Sequence, residues 1–301
     1  MKAKRLPKGG TIGIFCPSGV PNMELHNSAV SKIKRLGFKV KQSANFQKST
    51  YGYAASAEER ATDFNDLVAD DSVHMILFEG GSCAVEILSL IDYENIRCNP
   101  KLICSFSDAT SILNAIYAQT GLITYYGISL KEFADLRHYN YTQFCSHFVE
   151  GYSAKQFVSD CSWRTLRGGS CEGILIGGFS LLFGLVLSNE NFKYESSGKY
   201  LLFVEDHEKY SKVSEVSTYL NFIGQSIFMQ NVVGLIFGHY SIDVPNEVLG
   251  CLERFGSKYS IPVVYTDDFG HGTRRAIVPI GAKAILDADN HKLIFVNCEE
   301  G

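Results

Sequence analysis

Residues 101–121 read KLICSFSDATSILNAIYAQTG. A mostly apolar run ends in Phe106. The polar Ser107, Asp108 and Thr110 follow, and Ile112, Leu113, Ile116 and Tyr117 then recur at i, i+1, i+4 and i+5. That spacing gives one buried helix face, so a strand hands over to a helix close to Ser107. The turn admits two readings. A serine on a sharp strand-to-helix turn holds its hydroxyl clear of the sheet, and the next amide, at Asp108, points toward a developing oxyanion. This is the mechanics of a nucleophile elbow, here without the Gly-x-Ser-x-Gly string. Equally, Ser107 or Asp108 is the kind of residue that simply caps a helix.

Working outward, the first half repeats the same rhythm. TIGIFCPSG (11–19) reads as a strand ending in a turn, MELHNSAVSKIKRL (23–36) as a helix closed near Gly37, and FKVKQS as a short strand. SAEERATDFNDLVAD reads as a helix, capped by Ser56 with Glu59 completing a capping box. HMILFEGG (74–81) is an apolar strand running into paired glycines. Strand and helix in alternation predict an α/β fold, a mostly parallel sheet flanked by helices. Residues 129–150 read as helical cover. The expected division is an N-terminal domain over 1–150, a connector over 151–172, and a smaller α/β or β-rich C-terminal domain over 173–301. The second half begins near GILIGGFSLLFGLVLS and carries strands at KYLLFVED, VVGLIFGHY and IPVVY, a helix at VSEVSTYLNFIGQ, and a closing hairpin in AILDADNHKLIFV. The halves look like separate lobes without an internal repeat.

Composition narrows the class. The 301 residues are 46% hydrophobic and 20% charged, with a formal charge of −4, the profile of a water-soluble globular protein. Neither sign of charge dominates, so nucleic acid and anionic membrane are not expected partners. The basic MKAKR start is not followed by the apolar run of a signal peptide, and no stretch is long and apolar enough to span a membrane. Nine cysteines are scattered without CxxC spacing, which favours reduced thiols and a cytoplasmic location.

Ligands of parallel sheets gather beyond the carboxyl ends of the strands. Gly80, Gly81, Ser107, Asp108, Glu205, Asp206, His207, His239 and His271 all fall at such ends. The paired glycines permit an unusual turn or a close backbone approach, and their amides suit an oxyanion or a phosphate. His271, in DDFGHG, has the residue type of a general base, and Glu205 directly follows YLLFV, where a carboxylate can orient an imidazole. His74 and His147 read as structural. A metal site is the rival, since His207, His239 and His271 with nearby carboxylates are zinc-ligand types. No HExxH pair supports it, and adjacent Glu205, Asp206 and His207 side chains diverge on an extended backbone. No metal is expected.

Several strings together resemble the LD-carboxypeptidase family of serine peptidases, which includes the microcin C self-immunity peptidases. LIDYENIRCNPKLICSFSDATSILNAIYAQTGLITYYG is the fullest match: it resembles the family's DY-x-x-I-x-x-NPK run, a strand, and a YSD-type turn with Phe106 at the aromatic position. TIGIFCPSG, EGILIGGFSLL, KYLLFVED and FGHG with VPIGAKAILDAD keep the family order over nearly the whole chain. The resemblance implies Ser107 as nucleophile, Glu205 as acid, His271 as base, and an oxyanion hole made by the amides of Gly81 and Asp108. It implies a site between two domains, a homodimer, and no metal or organic cofactor. The expected substrate is a small peptide or peptidyl conjugate: a murein tetrapeptide losing terminal D-alanine, or alternatively an aminoacyl- or peptidyl-adenylate analogue. A divergent, non-catalytic binding member is the alternative of another class.

The chain departs from the family pattern at two places. Glu79-Gly80-Gly81-Ser82-Cys83 stands where the family often has Arg-Gly-Gly-x-Gly, which would put a negative charge where a substrate carboxylate wants a positive one. Phe179 occupies the Asn position of a GGNL-type string. Glu79, Gly80, Phe179, Trp163 and His239 are therefore candidate substrate-binding residues. Trp163 serves either as packing or as an aromatic platform for a nucleobase, and His239 either touches substrate or merely ends a strand.

Overall fold

The computed structural model of the chain describes residues 1–150, 156–239 and 244–296; the side chain of His239 lies outside what it describes. The first sheet is built from β1 (Thr11–Phe15), β2 (Lys39–Gln42), β3 (Val73–Phe78), β4 (Leu102–Ser105) and β5 (Thr124–Tyr126). These five pair in parallel in the order β5-β4-β3-β1-β2. Helices α1 (Met23–Arg35), α2 (Ala57–Ala69), α3 (Tyr93–Cys98) and α4 (Thr110–Thr120) make the crossovers, and α5 (His138–Phe144) follows the sheet. The capping box expected at α2 is present: Glu59 N–H donates to Ser56 Oγ, and the Glu59 carboxylate accepts from Ser56 N–H. The strand order reverses at β1, so the crevice for a ligand opens above the carboxyl ends of β1, β3 and β4.

The second sheet contains β6 (Arg164–Arg167), β7 (Ser170–Phe179), β8 (Tyr200–Asp206), β9 (Val232–His239) and β10 (Val263–Thr266). α6 (Ser180–Val186), α7 (Val213–Gln225) and α8 (Asn246–Tyr259) connect β7 through β10, which run parallel. β6 lies inside the stretch expected to be a connector, yet it pairs antiparallel with β10. The chain then returns to the first sheet: β11 (Val278–Ile280) pairs antiparallel with β5. β12 (Lys283–Asp287) and β13 (Lys292–Phe295) close the second sheet as the expected hairpin.

The two halves meet along one strand. β8 is buried along its whole length, and its side chains alternate between two cores. Leu201 and Phe203 join the core of the first sheet, while Tyr200, Leu202 and Val204 pack with α6, α7 and α8 on the other face. Period-two alternation in a strand buried on both faces makes it a shared wall between the two halves. That parity also decides the strand's polar end. Glu205 faces the first domain with Phe203, and Asp206 faces away, where it accepts from Ser180 Oγ at 2.7 Å.

Candidate active site

Ser107 opens the short helical turn before α4 with φ at +60°, in the left-handed region that a residue with a side chain enters at a cost of about 1–3 kcal/mol. No side-chain cap is made at this turn, so the capping reading of Ser107 and Asp108 falls. The strained backbone is held at both ends. Ser107 N–H donates to the Tyr126 hydroxyl at 3.0 Å, and Ser107 O accepts from Thr110 Oγ1 at 2.6 Å. Thr110 Oγ1 in turn accepts from Phe179 N–H at 3.0 Å, which ties the turn to the end of β7.

The freed hydroxyl meets His271. Ser107 Oγ lies 2.7 Å from His271 Nε2, and His271 Nδ1 lies 2.9 and 3.0 Å from the two oxygens of Glu205. These groups are 164 and 66 positions apart in the chain. Glu205 is fully buried and also accepts from Tyr126 OH at 2.6 Å and from His271 N–H at 3.2 Å. Burial alone would push its carboxyl up. The His271 charge and the hydrogen bonds from His271 and Tyr126 outweigh that and hold it below the ordinary carboxylate value. The turn before the histidine needs Gly270: φ is +106°, and a Cβ there would sit 2.6 Å from Glu205 Oε2. Phe106, Phe179 and Tyr210 surround the imidazole, with ring centroids 5.3, 5.0 and 4.8 Å away.

Asp108 does not face substrate with its side chain. The carboxylate is buried and accepts from Ser18 Oγ and from Ala84 N–H at 2.9 Å. Burial pushes its pKa up against these bonds. Asp108 thereby fastens the segment after β1 and the segment after β3 to the Ser107 turn. Gly81 packs so closely on Ser18 that a Cβ would overlap both its side chain and its main chain. The glycine is required by close approach, since its φ is not among the positive ones. Gly80, Gly81, Ser107, Asp108, Phe179 and His271 all line one cavity of about 400 Å³ between the two sheets, together with Lys131 and Tyr210.

Two expected substrate contacts lie elsewhere. Glu79 is only 9% exposed, and its carboxylate binds His26 Nδ1 at 2.8 Å, away from the cavity lining. Its charge is directed at His26 and does not line the cavity. Trp163 is buried against Phe157, its Nε1–H donates to Asp268 at 2.9 Å, and it does not line the cavity. The packing alternative thus describes Trp163. For His239 the structure gives only the main chain, at the end of β9. His74 accepts from Thr11 N–H at 3.2 Å and His147 Nδ1 meets Gln143 O at 2.9 Å, both structural as expected. Among the described residues no group of three or more His, Cys, Asp or Glu side chains converges as a metal site would require.

Three supporting residues carry no sequence signal of their own. Tyr126 ends β5 without a motif. Asp268 is fully buried and gathers Ser159, Asp160, Trp163 and Thr266 at 2.7–2.9 Å, anchoring the loop that carries His271. Arg275 donates to Gly270 O and pairs with Glu132 at 3.2 Å, fixing the same loop to the first domain.

Two α/β domains that together build a strained serine turn beside a carboxylate-bound histidine have the fold and site of a hydrolase. Comparison with known families is specific. The LD-carboxypeptidase N-terminal domain matches residues 12–127 and the LD-carboxypeptidase C-terminal domain matches 172–286. The chain belongs to the LD-carboxypeptidase family. The probable murein peptide carboxypeptidase of Bacillus subtilis is 30% identical over 100% of this chain and 96% of that protein. The microcin C7 self-immunity protein MccF of Escherichia coli is 28% identical over 97% and 94%. The structure of MccF in complex with glutamyl sulfamoyl guanosine matches with a TM-score of 0.83 at 26% identity, over 99% of both chains. No described helix is long and apolar enough to cross a membrane.

Proposed function

We propose that this protein is a serine hydrolase that cleaves an amide bond through an acyl-enzyme, with Ser107 as nucleophile, His271 as general base and Glu205 as the acid that orients it. The observation that carries the reading is the unbroken series from Ser107 Oγ through His271 to Glu205, with links of 2.7 and 3.0 Å. His271 takes the Ser107 proton as Oγ attacks the carbonyl. Glu205 holds the imidazole in the tautomer with a free Nε2 and stabilises the imidazolium. The amides of Gly81 and Asp108 donate to the tetrahedral oxyanion. His271 then protonates the leaving nitrogen, and water repeats the sequence on the ester.

For the substrate we favour an aminoacyl or peptidyl nucleotide analogue of the microcin type over the murein tetrapeptide. The cavity walls are aromatic, from Phe106, Phe179 and Tyr210, and solved MccF complexes hold glutamyl sulfamoyl guanosine and aspartyl sulfamoyl adenosine at 26% and 25% identity to this chain. Among the described residues, Lys131 is the one lysine or arginine lining the cavity. It gives a partner for an anion beside the scissile amide, a feature that an acyl sulfamate and a C-terminal D-alanine share. The tetrapeptide is therefore the second reading, supported by the Bacillus subtilis relative. Eight described cysteines are all free thiols, which fits a reducing cytoplasm.

The test offers both substrates to the native enzyme and to Ser107→Ala. The native enzyme is expected to hydrolyse an aminoacyl sulfamoyl adenosine faster than the tetrapeptide, and Ser107→Ala to lose turnover by at least about 10⁴-fold. Faster release of D-alanine reverses the substrate order. Turnover of neither substrate sinks the hydrolase reading.

A further inference from the structure

Tyr126 closes the catalytic series into a ring. Its hydroxyl donates to Glu205 Oε1 at 2.6 Å and accepts from Ser107 N–H at 3.0 Å. Glu205 binds His271 Nδ1, and His271 Nε2 returns to Ser107 Oγ. The two ends of the ring are therefore the amide and the hydroxyl of one residue, the strained Ser107. The phenol is fully buried, wedged edge-on to Phe106 at 6.5 Å and tilted against Phe203 at 5.7 Å, so it has one place to be.

We propose that Tyr126 is a positioning residue of the hydrolytic site, holding the Ser107 main chain in its left-handed conformation and tempering, through Glu205, the basicity of His271. The inference rests on the hydrolase reading above. Three consequences follow from the ring. A phenol that donates to a carboxylate becomes a better acceptor, so its grip on Ser107 N–H is strengthened by Glu205. With that N–H occupied, the oxyanion falls to other amides, those of Asp108 and Gly81. And the phenol offsets part of the Glu205 charge that would otherwise stabilise the imidazolium. Burial and the Glu205 charge push the Tyr126 hydroxyl well above its ordinary value, so it remains a donor throughout the working pH range.

Among the described residues, the other titratable or charged groups around the imidazole are Tyr210 on the segment after β8, Lys131 and Asp108 across the cavity, and Arg275 on its own loop. Asp108 is engaged by Ser18 and Ala84, and Arg275 by Glu132 and Gly270. Tyr126 is the neutral group that shares the base's own carboxylate.

The experiment titrates the His271 imidazole by NMR in the native protein and in Tyr126→Phe, with the signal assigned by its loss in His271→Gln. Removing the phenol leaves the Glu205 charge to His271 alone, so the imidazole of Tyr126→Phe should titrate at higher pH, and the acid limb of kcat/KM should move up with it. The kcat should fall about 10–100-fold from misplacement of Ser107, with KM changed about twofold or less. Because Tyr126→Phe leaves a buried amide without its acceptor, a second protein carries 3-fluorotyrosine at position 126. Its more acidic phenol donates more strongly to Glu205, and the imidazole should titrate at lower pH. Shifts of opposite sign support the proposal. An imidazole that titrates alike in all three proteins, or shifts the same way in both variants, overturns it. If the imidazole shifts as expected but the native enzyme turns over no substrate, the coupling stands and the hydrolase reading falls.

Discussion

Glu79 shows how one residue's partner changes its meaning. By position in the sequence it puts a negative charge beside the glycine pair. In the fold its carboxylate is spent on His26, whose other nitrogen lies 2.5 Å from Gln42 Nε2 and whose ring stacks on Phe46 at 5.1 Å. Glu79→Ala leaves a buried imidazole without its partner, a loss of about 1–3 kcal/mol. Urea unfolding should show that loss, while KM for either substrate should change less than about twofold. A tenfold rise in KM with unchanged stability would return Glu79 to the substrate site. Strand ends made Ser107, Glu205 and His271 candidates, since ligands of parallel sheets collect there, and the family resemblance supplied their expected roles. The Glu79–His26 pair was not legible in the sequence, since it spans 53 positions and joins α1 to the end of β3. Tyr126 was not either: in ITYYG nothing distinguishes a phenol aimed at a buried carboxylate from its neighbour Tyr125, equally buried in the core.

At the scale of elements, the site is made by the turns that leave four strands, and each turn is specified by a close fit. The turn after β3 illustrates it. Asp108 draws the segment after β1, through Ser18, against Gly81. A methyl group at Gly81 overlaps the Ser18 main chain, so Gly81→Ala must displace the turn and its amide. At Gly80 a Cβ meets nothing within 4 Å. If the Gly81 amide serves the oxyanion, Gly81→Ala should lower kcat about 10²-fold or more, the usual worth of one such donor. Gly80→Ala should cost far less, and steady-state kinetics on the pair with far-UV circular dichroism as a folding control separates them. Equal losses in both variants would mean that the turn acts through its flexibility and not through one amide. The paired glycines were visible in the sequence, but the reason for them was not. It is the Ser18 backbone, brought there by a parallel pairing of β1 with β3.

For the whole molecule, the decisive fact is that the core of the first sheet is completed by residues of the second half, Leu201, Phe203, Ile236 and Phe269 among them. The sequence showed two runs of α/β signals and no reason to join them, because an apolar strand such as YLLFV announces burial on both faces without saying what covers each. In the fold, Leu201 and Phe203 belong to the first core while their neighbours belong to the second, and β11 crosses back to pair with β5. The hydrogen-bonded series is split the same way, with Ser107 on the first sheet and Glu205 and His271 on the second. Two domains with small, polar interfaces unfold separately, whereas a shared apolar core couples them. Trp163, the only tryptophan in the sequence, reports on the junction, since its indole binds Asp268 beneath the His271 loop. Urea unfolding followed by tryptophan fluorescence, far-UV circular dichroism and residual hydrolysis should therefore give one transition with one midpoint. Activity would disappear with the fluorescence change and not before it. A fluorescence midpoint well below that of circular dichroism would mean that the second domain melts away from an intact first one. The shared wall at β8 would then contribute too little to bind the halves into one cooperative unit.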